Sequence, residues 1–94
     1  MKEYISDEIE TLNDNINIVA NLLKSEGIPF LAAKNAEELL EMLIKIKTMF
    51  ENEEVEIEKK NSILEKLPLL YLQIPFIKNQ INNNNTDDEE VNSN

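Results

Sequence analysis

Carboxylates are the most abundant reactive groups of this chain, and they are densest between residues 51 and 58. Five glutamates lie within these eight positions: Glu51, Glu53, Glu54, Glu56 and Glu58. Paired carboxylates can transfer protons or bind a hard metal ion when they converge on one point. Helical spacing would instead spread them around the helix axis, and neither histidine nor an Asn-Gly calcium-loop pattern accompanies them. We interpret the cluster as a solvated helix face, with a turn as the alternative.

The other residue types from which catalytic sites are built are absent or isolated. The sequence contains no histidine, cysteine, tryptophan or arginine, so its serines and threonines have no imidazole to activate them. Gly27 is the only glycine, which excludes a glycine-rich phosphate-binding loop. We predict that the protein is not an enzyme and that it has no catalytic residue, no cofactor and no metal site.

The charge balance argues against direct binding to nucleic acid. Nineteen acidic residues face nine basic ones, for a formal net charge of −10, and every basic residue is a lysine. Lysine lacks the bidentate fork with which arginine binds phosphates and base edges. The acidic balance fits a basic partner or simple solubility.

Membrane insertion and secretion are not indicated. The longest apolar stretch, residues 67–77, is interrupted by two prolines and one glutamine. It is much shorter than the roughly twenty residues that span a bilayer. No apolar segment follows the first three residues, as a secretion signal would require. We expect a cytoplasmic protein, with the nucleus as the alternative location.

Two stretches carry the spacing of a coiled-coil seam, in which apolar residues alternate at gaps of four and three. From residue 39 to residue 81, ten of thirteen such positions are apolar, and the exceptions are Glu53, Lys60 and Lys78. The second seam has no exception and consists of Ile5, Ile9, Leu12, Ile16, Val19 and Leu23. Such seams predict an all-α fold, and Met42 and Met49 widen the first one enough to favour a bundle of three or four helices.

Capping signals suggest where the two long helices begin and end. The first helix is predicted to start near Ser6 and to run to about residue 26, because Gly27 and Pro29 then stop it. Residues 28–34 are predicted to form a connector. Asn35 would cap a second helix that runs without a break from Ala36 to residue 66.

These lengths predict a long helical hairpin in which the second helix overhangs the first beyond Ile57. The overhang contains the most apolar part of the chain, so a returning third helix, a second copy or another protein must cover it. Ser62 could cap a third helix and so produce a three-helix bundle, although Pro68 argues against that start. Pro68 and Pro75 predict either a twice-kinked helix or a partly extended strip.

The chain is predicted to divide into a helical domain, residues 1–81, and a disordered tail, residues 82–94. The tail is rich in asparagine and contains four consecutive acidic residues, with one apolar residue to bury. Segments of this composition do not bury enough apolar surface to become ordered.

The predicted function is that of a non-enzymatic helical subunit of a multi-protein complex, of the scaffold or tether type. Its partners would be other helical subunits, in a hetero- or homo-oligomer. The alternative is a small acidic inhibitor or immunity-type protein that binds a basic effector. The residues predicted to bind the partner are apolar and lie in or near the overhang: Phe50, Ile57, Leu64, Leu67, Leu70, Tyr71, Ile74, Phe76 and Ile77.

Overall fold

The computed structural model describes residues 2–82, with side chains from residue 5 onward. It contains four helices, α1 (Lys2–Leu23), α2 (Phe30–Glu51), α3 (Ile57–Leu64) and α4 (Leu67–Tyr71), and residues 73–82 are also helical. The prediction of an all-α fold is therefore confirmed for these residues. Residues 83–94 lie outside the described part, so the disordered tail stays a prediction.

Helix α1 is held in place by its uninterrupted apolar seam. Ile5, Leu12 and Val19 are buried, and the remaining seam residues are partly buried against them. The predicted start near Ser6 is wrong, because the helix already begins at Lys2. Nothing in the sequence stops a helix before Ser6, and the earlier start brings Ile5 into the buried stripe.

The connector between α1 and α2 begins earlier than the sequence suggested. Helix α1 ends at Leu23 rather than near residue 26, and the amide of Ser25 donates a hydrogen bond of 3.1 Å to the carbonyl of Leu22. Gly27 has a φ of 67°, the left-handed conformation predicted for it. This glycine closes the turn, since other residues enter that region only with strain.

Helix α2 begins at Phe30, so the predicted connector over residues 28–34 and the predicted cap at Asn35 are wrong. Pro29 is extended, with φ −60° and ψ 147°, and its carbonyl accepts a hydrogen bond of 2.9 Å from the amide of Ala33. The extra turn adds Ala32 to the buried face of α2, and both Ala32 and Ala36 are fully buried.

The prediction of one unbroken helix to residue 66 is also wrong, because α2 ends at Glu51. The turn interpretation of the acidic cluster is the correct one. Asn52 stops the helix in an extended conformation, and its side-chain oxygen accepts a hydrogen bond of 2.9 Å from the amide of Glu54. Asparagine favours such turns through this local bond, and like charges three and four residues apart weaken the competing helix.

Residues 57–82, which we call the arm, form a helix broken into three pieces. Pro68 is the second residue of α4, and Pro75 is the third residue of the segment 73–82. Proline is tolerated in a first turn because the amide it lacks has no helical partner there. The twice-kinked helix is confirmed and the extended strip is wrong. Ser62 lies inside α3 instead of capping it.

The arm folds back along the hairpin of α1 and α2. Of the three ways predicted to cover the residues beyond Ile57, the structure has the returning helix, and the second helix does not overhang the first. Leu64, Leu67, Ile74 and Ile77 belong to the same buried cluster as the hairpin residues. At the far end, Asn35 Nδ2 donates a hydrogen bond of 3.2 Å to Gln80 Oε1. The arm therefore runs antiparallel to α2.

Candidate interaction surfaces

The fold divides the nine residues predicted to bind a partner into a covered group and an exposed pair. The side chains of Ile57 and Phe76 are exposed. The other seven side chains are buried or partly buried within the chain: Phe50, Leu64, Leu67, Leu70, Tyr71, Ile74 and Ile77. The returning arm covers most of the surface that was expected to need a partner, and partner binding by these residues stays a prediction.

Tyr71 is the polar exception among these seven covered residues. Its hydroxyl oxygen is buried and makes no hydrogen bond to any described residue. Burial raises the pKa of this hydroxyl to about 12, and the negative charge of Glu8 adds to the effect. Both causes disfavour the phenolate, so Tyr71 serves as a packing residue and is a poor proton donor at neutral pH.

This shift makes stability depend on pH in the alkaline range. An unperturbed tyrosine has a pKa of about 10. Because the folded state holds the proton more tightly, the contribution of Tyr71 is complete below pH 10 and is lost as the pH rises through 12. We expect the free energy of unfolding, measured by urea denaturation, to fall more steeply over this window in the wild type than in Tyr71→Phe.

Tyr71→Phe is also the natural control at neutral pH. The variant removes an unbonded hydroxyl, so its stability at pH 7 should equal or exceed that of the wild type by up to about 1 kcal/mol. Lysines titrate in the same alkaline range in both proteins, and their effect cancels in the comparison. Parallel alkaline losses in the two proteins would contradict the assignment.

The outer face of the arm carries a row of large apolar side chains, Leu69, Leu72 and Phe76, which we call the arm ridge. They are 67%, 65% and 67% exposed and follow one another at gaps of three and four residues. Leu69 lies in α4, Leu72 at the break after it and Phe76 in the segment 73–82. Exposed clusters of this kind often mark interaction sites. Leu69 and Leu72 were not among the predicted partner residues, although their position opposite the buried seam was readable from the sequence.

The charges around the arm ridge differ from those of the rest of the molecule. Residues 66–82 contain two lysines, Lys66 and Lys78, and no aspartate or glutamate. Both lysines are exposed. The segment that carries the arm ridge therefore has a formal charge of +2, while the exposed Glu65 lies directly before it and the net charge of the protein is −10.

A groove of about 760 Å³ lies at the opposite end of the arm, where α1, α2 and α3 meet. We call it the acidic groove. Its apolar lining residues are Ile5, Ile9, Phe50, Val55 and Ile57. Four exposed glutamates on and beside the turn between α2 and α3 also line it: Glu51, Glu53, Glu54 and Glu56.

Lys60 also lines the acidic groove and is only 7% exposed. Its side chain makes no ion pair or hydrogen bond with a described residue, and the pair with Glu56 that helical spacing would allow is not formed. The sequence marked Lys60 as a polar interruption of the apolar seam. The structure places that interruption beside the groove.

Other readings of the acidic residues receive no geometric support. In the described part of the chain, no three acidic side chains are arranged so that they could hold a metal ion together.

Among the described helices, none is both long and apolar enough to cross a membrane. Known protein families, curated protein sequences and solved structures show no match to this chain.

Proposed function

We propose that this protein is a non-enzymatic helical subunit of a multi-protein complex, of the scaffold or tether type, and that the arm ridge binds a helix of another subunit. The observation that carries the proposal is the row formed by Leu69, Leu72 and Phe76. All three are about two-thirds exposed, on an arm whose buried side chains belong to the core cluster.

The spacing and charge of the arm ridge indicate what kind of partner fits it. A second helix packs on a helical row through its own apolar stripe at gaps of three and four. Lys66 and Lys78, with no acidic residue in the segment, favour a partner whose stripe is flanked by aspartate or glutamate. The proposed occupant is therefore an acidic amphipathic helix.

A synthetic amphipathic helix of leucine and glutamate is a suitable probe for this surface. We expect the wild-type chain to bind it at physiological ionic strength, and the triple variant L69S/L72S/F76S to bind it at least tenfold more weakly. The expected loss follows from removing three apolar contacts at the centre of the interface. Fluorescence anisotropy of the labelled peptide measures the affinity.

The matched control is the double variant I18S/I44S, which removes exposed isoleucines from α1 and α2. It should bind the peptide as the wild type does. A wild-type chain that binds neither this peptide nor a hydrophobic dye would overturn the proposal. If light scattering shows that the wild type is an oligomer and the triple variant a monomer, the partner on the arm ridge would be a second copy of this chain rather than another subunit.

The alternative function, an acidic inhibitor that binds a basic effector, is favoured by the acidic groove. It predicts a stable monomer whose binding to a basic protein weakens sharply as salt is added. Four of the acidic residues, at positions 87–90, lie outside the described part of the chain.

A further inference from the structure

We propose that two copies of this chain form a dimer by exchanging arms, so that the arm of each copy packs on the hairpin of the other. In that dimer the turn at residues 52–56 straightens, and α2 and α3 become one continuous helix. The exchange involves the buried side of the arm and does not depend on the arm ridge being an interface.

Arm exchange needs no new buried surface, because a second copy offers the same arm. Leu64, Leu67 and Ile74 belong to one buried cluster with the hairpin residues. Their counterparts from a second copy would make the same contacts, and exchange of an identical element is a low-cost route to a dimer. The conformation of the turn and the concentration of the chain therefore decide between monomer and dimer.

The backbone of the turn can enter a helix without strain. Residues 52–56 contain no glycine or proline, and Gly27 is the only described residue with a positive φ. Asn52 and Glu56 are extended, with ψ of 113° and 145°, but their φ of −84° and −64° already lie in the helical range. Rotation about ψ carries both residues into a helix, so the turn can act as a hinge.

Few contacts hold the turn in its bent form. Four of its five side chains are exposed, and Val55 is only partly buried. The hydrogen bond from the amide of Glu54 to the side chain of Asn52 is exposed as well, and such a bond contributes little against water. Straightening the hinge therefore disrupts little packing.

The apolar seam keeps one helical phase through the turn, which the observed bend does not require. Phe50, Ile57 and Leu64 follow one another at gaps of seven residues. A turn leaves the phases of the two flanking helices independent, whereas a continuous helix needs a single phase to present one apolar face. The spacing is the one that a straight helix through residues 52–56 requires.

The two polar interruptions of the seam beside Ile57 carry opposite charges. Glu53 precedes Ile57 by four residues and Lys60 follows it by three, and neither forms an ion pair with a described residue. In the dimer the two long helices run antiparallel, as the arm and α2 do within one chain. Glu53 of one copy then lies within about one turn of Lys60 of the other, which makes the crossing attractive.

The variant N52A/E54A, made in the chain of residues 1–94, tests the hinge. It removes the hydrogen bond within the turn and introduces the strongest helix former twice. Because both copies gain, the dissociation constant of the dimer, measured by light scattering over a dilution series, should fall at least about tenfold below that of the wild type. A variant that stays monomeric up to about 1 mM would overturn arm exchange.

The matched control is E10A/N13A, which makes the same two replacements at exposed positions of α1. It should leave the dissociation constant within about threefold of the wild type. An equal gain in both variants would overturn the hinge, because dimerisation would then follow surface composition. Far-UV circular dichroism confirms that each variant remains helical.

Adding Ile57→Pro to N52A/E54A tests the hinge in the opposite direction. Ile57 is the first residue of α3, where proline is favoured, and Glu56 already has the extended backbone that suits a residue before proline. In a continuous helix the same proline would remove a hydrogen bond and break the helix. We expect the triple variant to return to a helical monomer. A dimer of unchanged affinity would mean that the copies associate through another surface.

Charge reversal, introduced into N52A/E54A, tests the antiparallel crossing. With either E53K or K60E alone, like charges meet in the dimer, whereas a mixture of the two variants brings opposite charges together again. Energy transfer between differently labelled chains should show that the mixed dimer forms at least about tenfold more tightly than either variant alone. Equal affinities would overturn the proposed crossing.

The arm-ridge substitutions L69S/L72S/F76S separate arm exchange from the proposed function. All three replace exposed side chains, so in N52A/E54A they should leave the dissociation constant within about twofold. Loss of the dimer would place the second copy on the arm ridge and would overturn arm exchange. The leucine-glutamate peptide tests the arm ridge independently of that result.

Discussion

Replacing Leu43 by alanine should lower the free energy of unfolding by about 2–5 kcal/mol. Leu43 is fully buried in the cluster where α1, α2 and the arm meet. The loss combines the transfer free energy of the deleted methyl and methylene groups with the cavity left behind. A small domain is stable by only about 5–15 kcal/mol, so one substitution could remove a large fraction of the total. Urea denaturation followed by circular dichroism at 222 nm measures the effect.

The neighbouring residue Ile44 provides the control for Leu43→Ala. Ile44 is 46% exposed, so Ile44→Ala deletes a similar amount of apolar surface from a position that already contacts water. Its effect should stay within about 1 kcal/mol. Similar losses at both positions would mean that α2 is rotated about its axis, because adjacent helical residues point about 100° apart.

Leu67→Asp is expected to detach the arm from the hairpin. Leu67 is 1% exposed and belongs to the buried cluster, so the substitution would place an unpaired carboxylate among apolar side chains. The expected cost is at least about 3 kcal/mol, since a buried charge without a partner is strongly destabilising. The variant should show reduced helical content at neutral pH, partly restored when acid protonates the new carboxyl.

Leu69→Asp is the control, two residues along the same helix. Leu69 is 67% exposed on the arm ridge, so the new carboxylate stays in water and stability should change by less than about 0.5 kcal/mol. The two variants compare the stability cost of a carboxylate at a buried position with its cost at an exposed position of the same short helix. A folded Leu67→Asp protein together with an unfolded Leu69→Asp protein would show that the arm presents its other face to the core.

The sequence predicted well those features that depend on periodicity. The seam of α1 was correct at all six positions, because the gaps of four and three record directly which face of a helix is apolar. The polar interruption at Lys60 was also informative, since it coincides with the groove. Seven of the nine predicted partner residues are covered by the chain itself, which local periodicity did not reveal, and partner binding by them stays a prediction.

The helix ends were predicted poorly because they depend on small local differences in free energy. The turn at residues 52–56 contains no glycine or proline, and an unbroken helix there differs from a turn by a few weak charge repulsions and one asparagine hydrogen bond. Leu64 and Leu67 belong to the same buried cluster as the hairpin residues, and their burial favours the turn. Such contacts join residues far apart in the sequence, so local patterns do not reveal them. The same limit applies to Phe30, whose position inside α2 is favoured by the burial of Ala32 two residues later.

The division of the arm into short pieces determines where the molecule opens first. Helices α3 and α4 have eight and five residues, well below the length of roughly twelve at which an isolated helix persists in water. Packing against the hairpin therefore keeps α3 and α4 helical. In contrast, α1 and α2 are each 22 residues long and stabilise one another along their length. Native-state fluctuations should accordingly release the arm as a unit before the hairpin separates, and each release would briefly expose the buried residues of α2 that the arm covers.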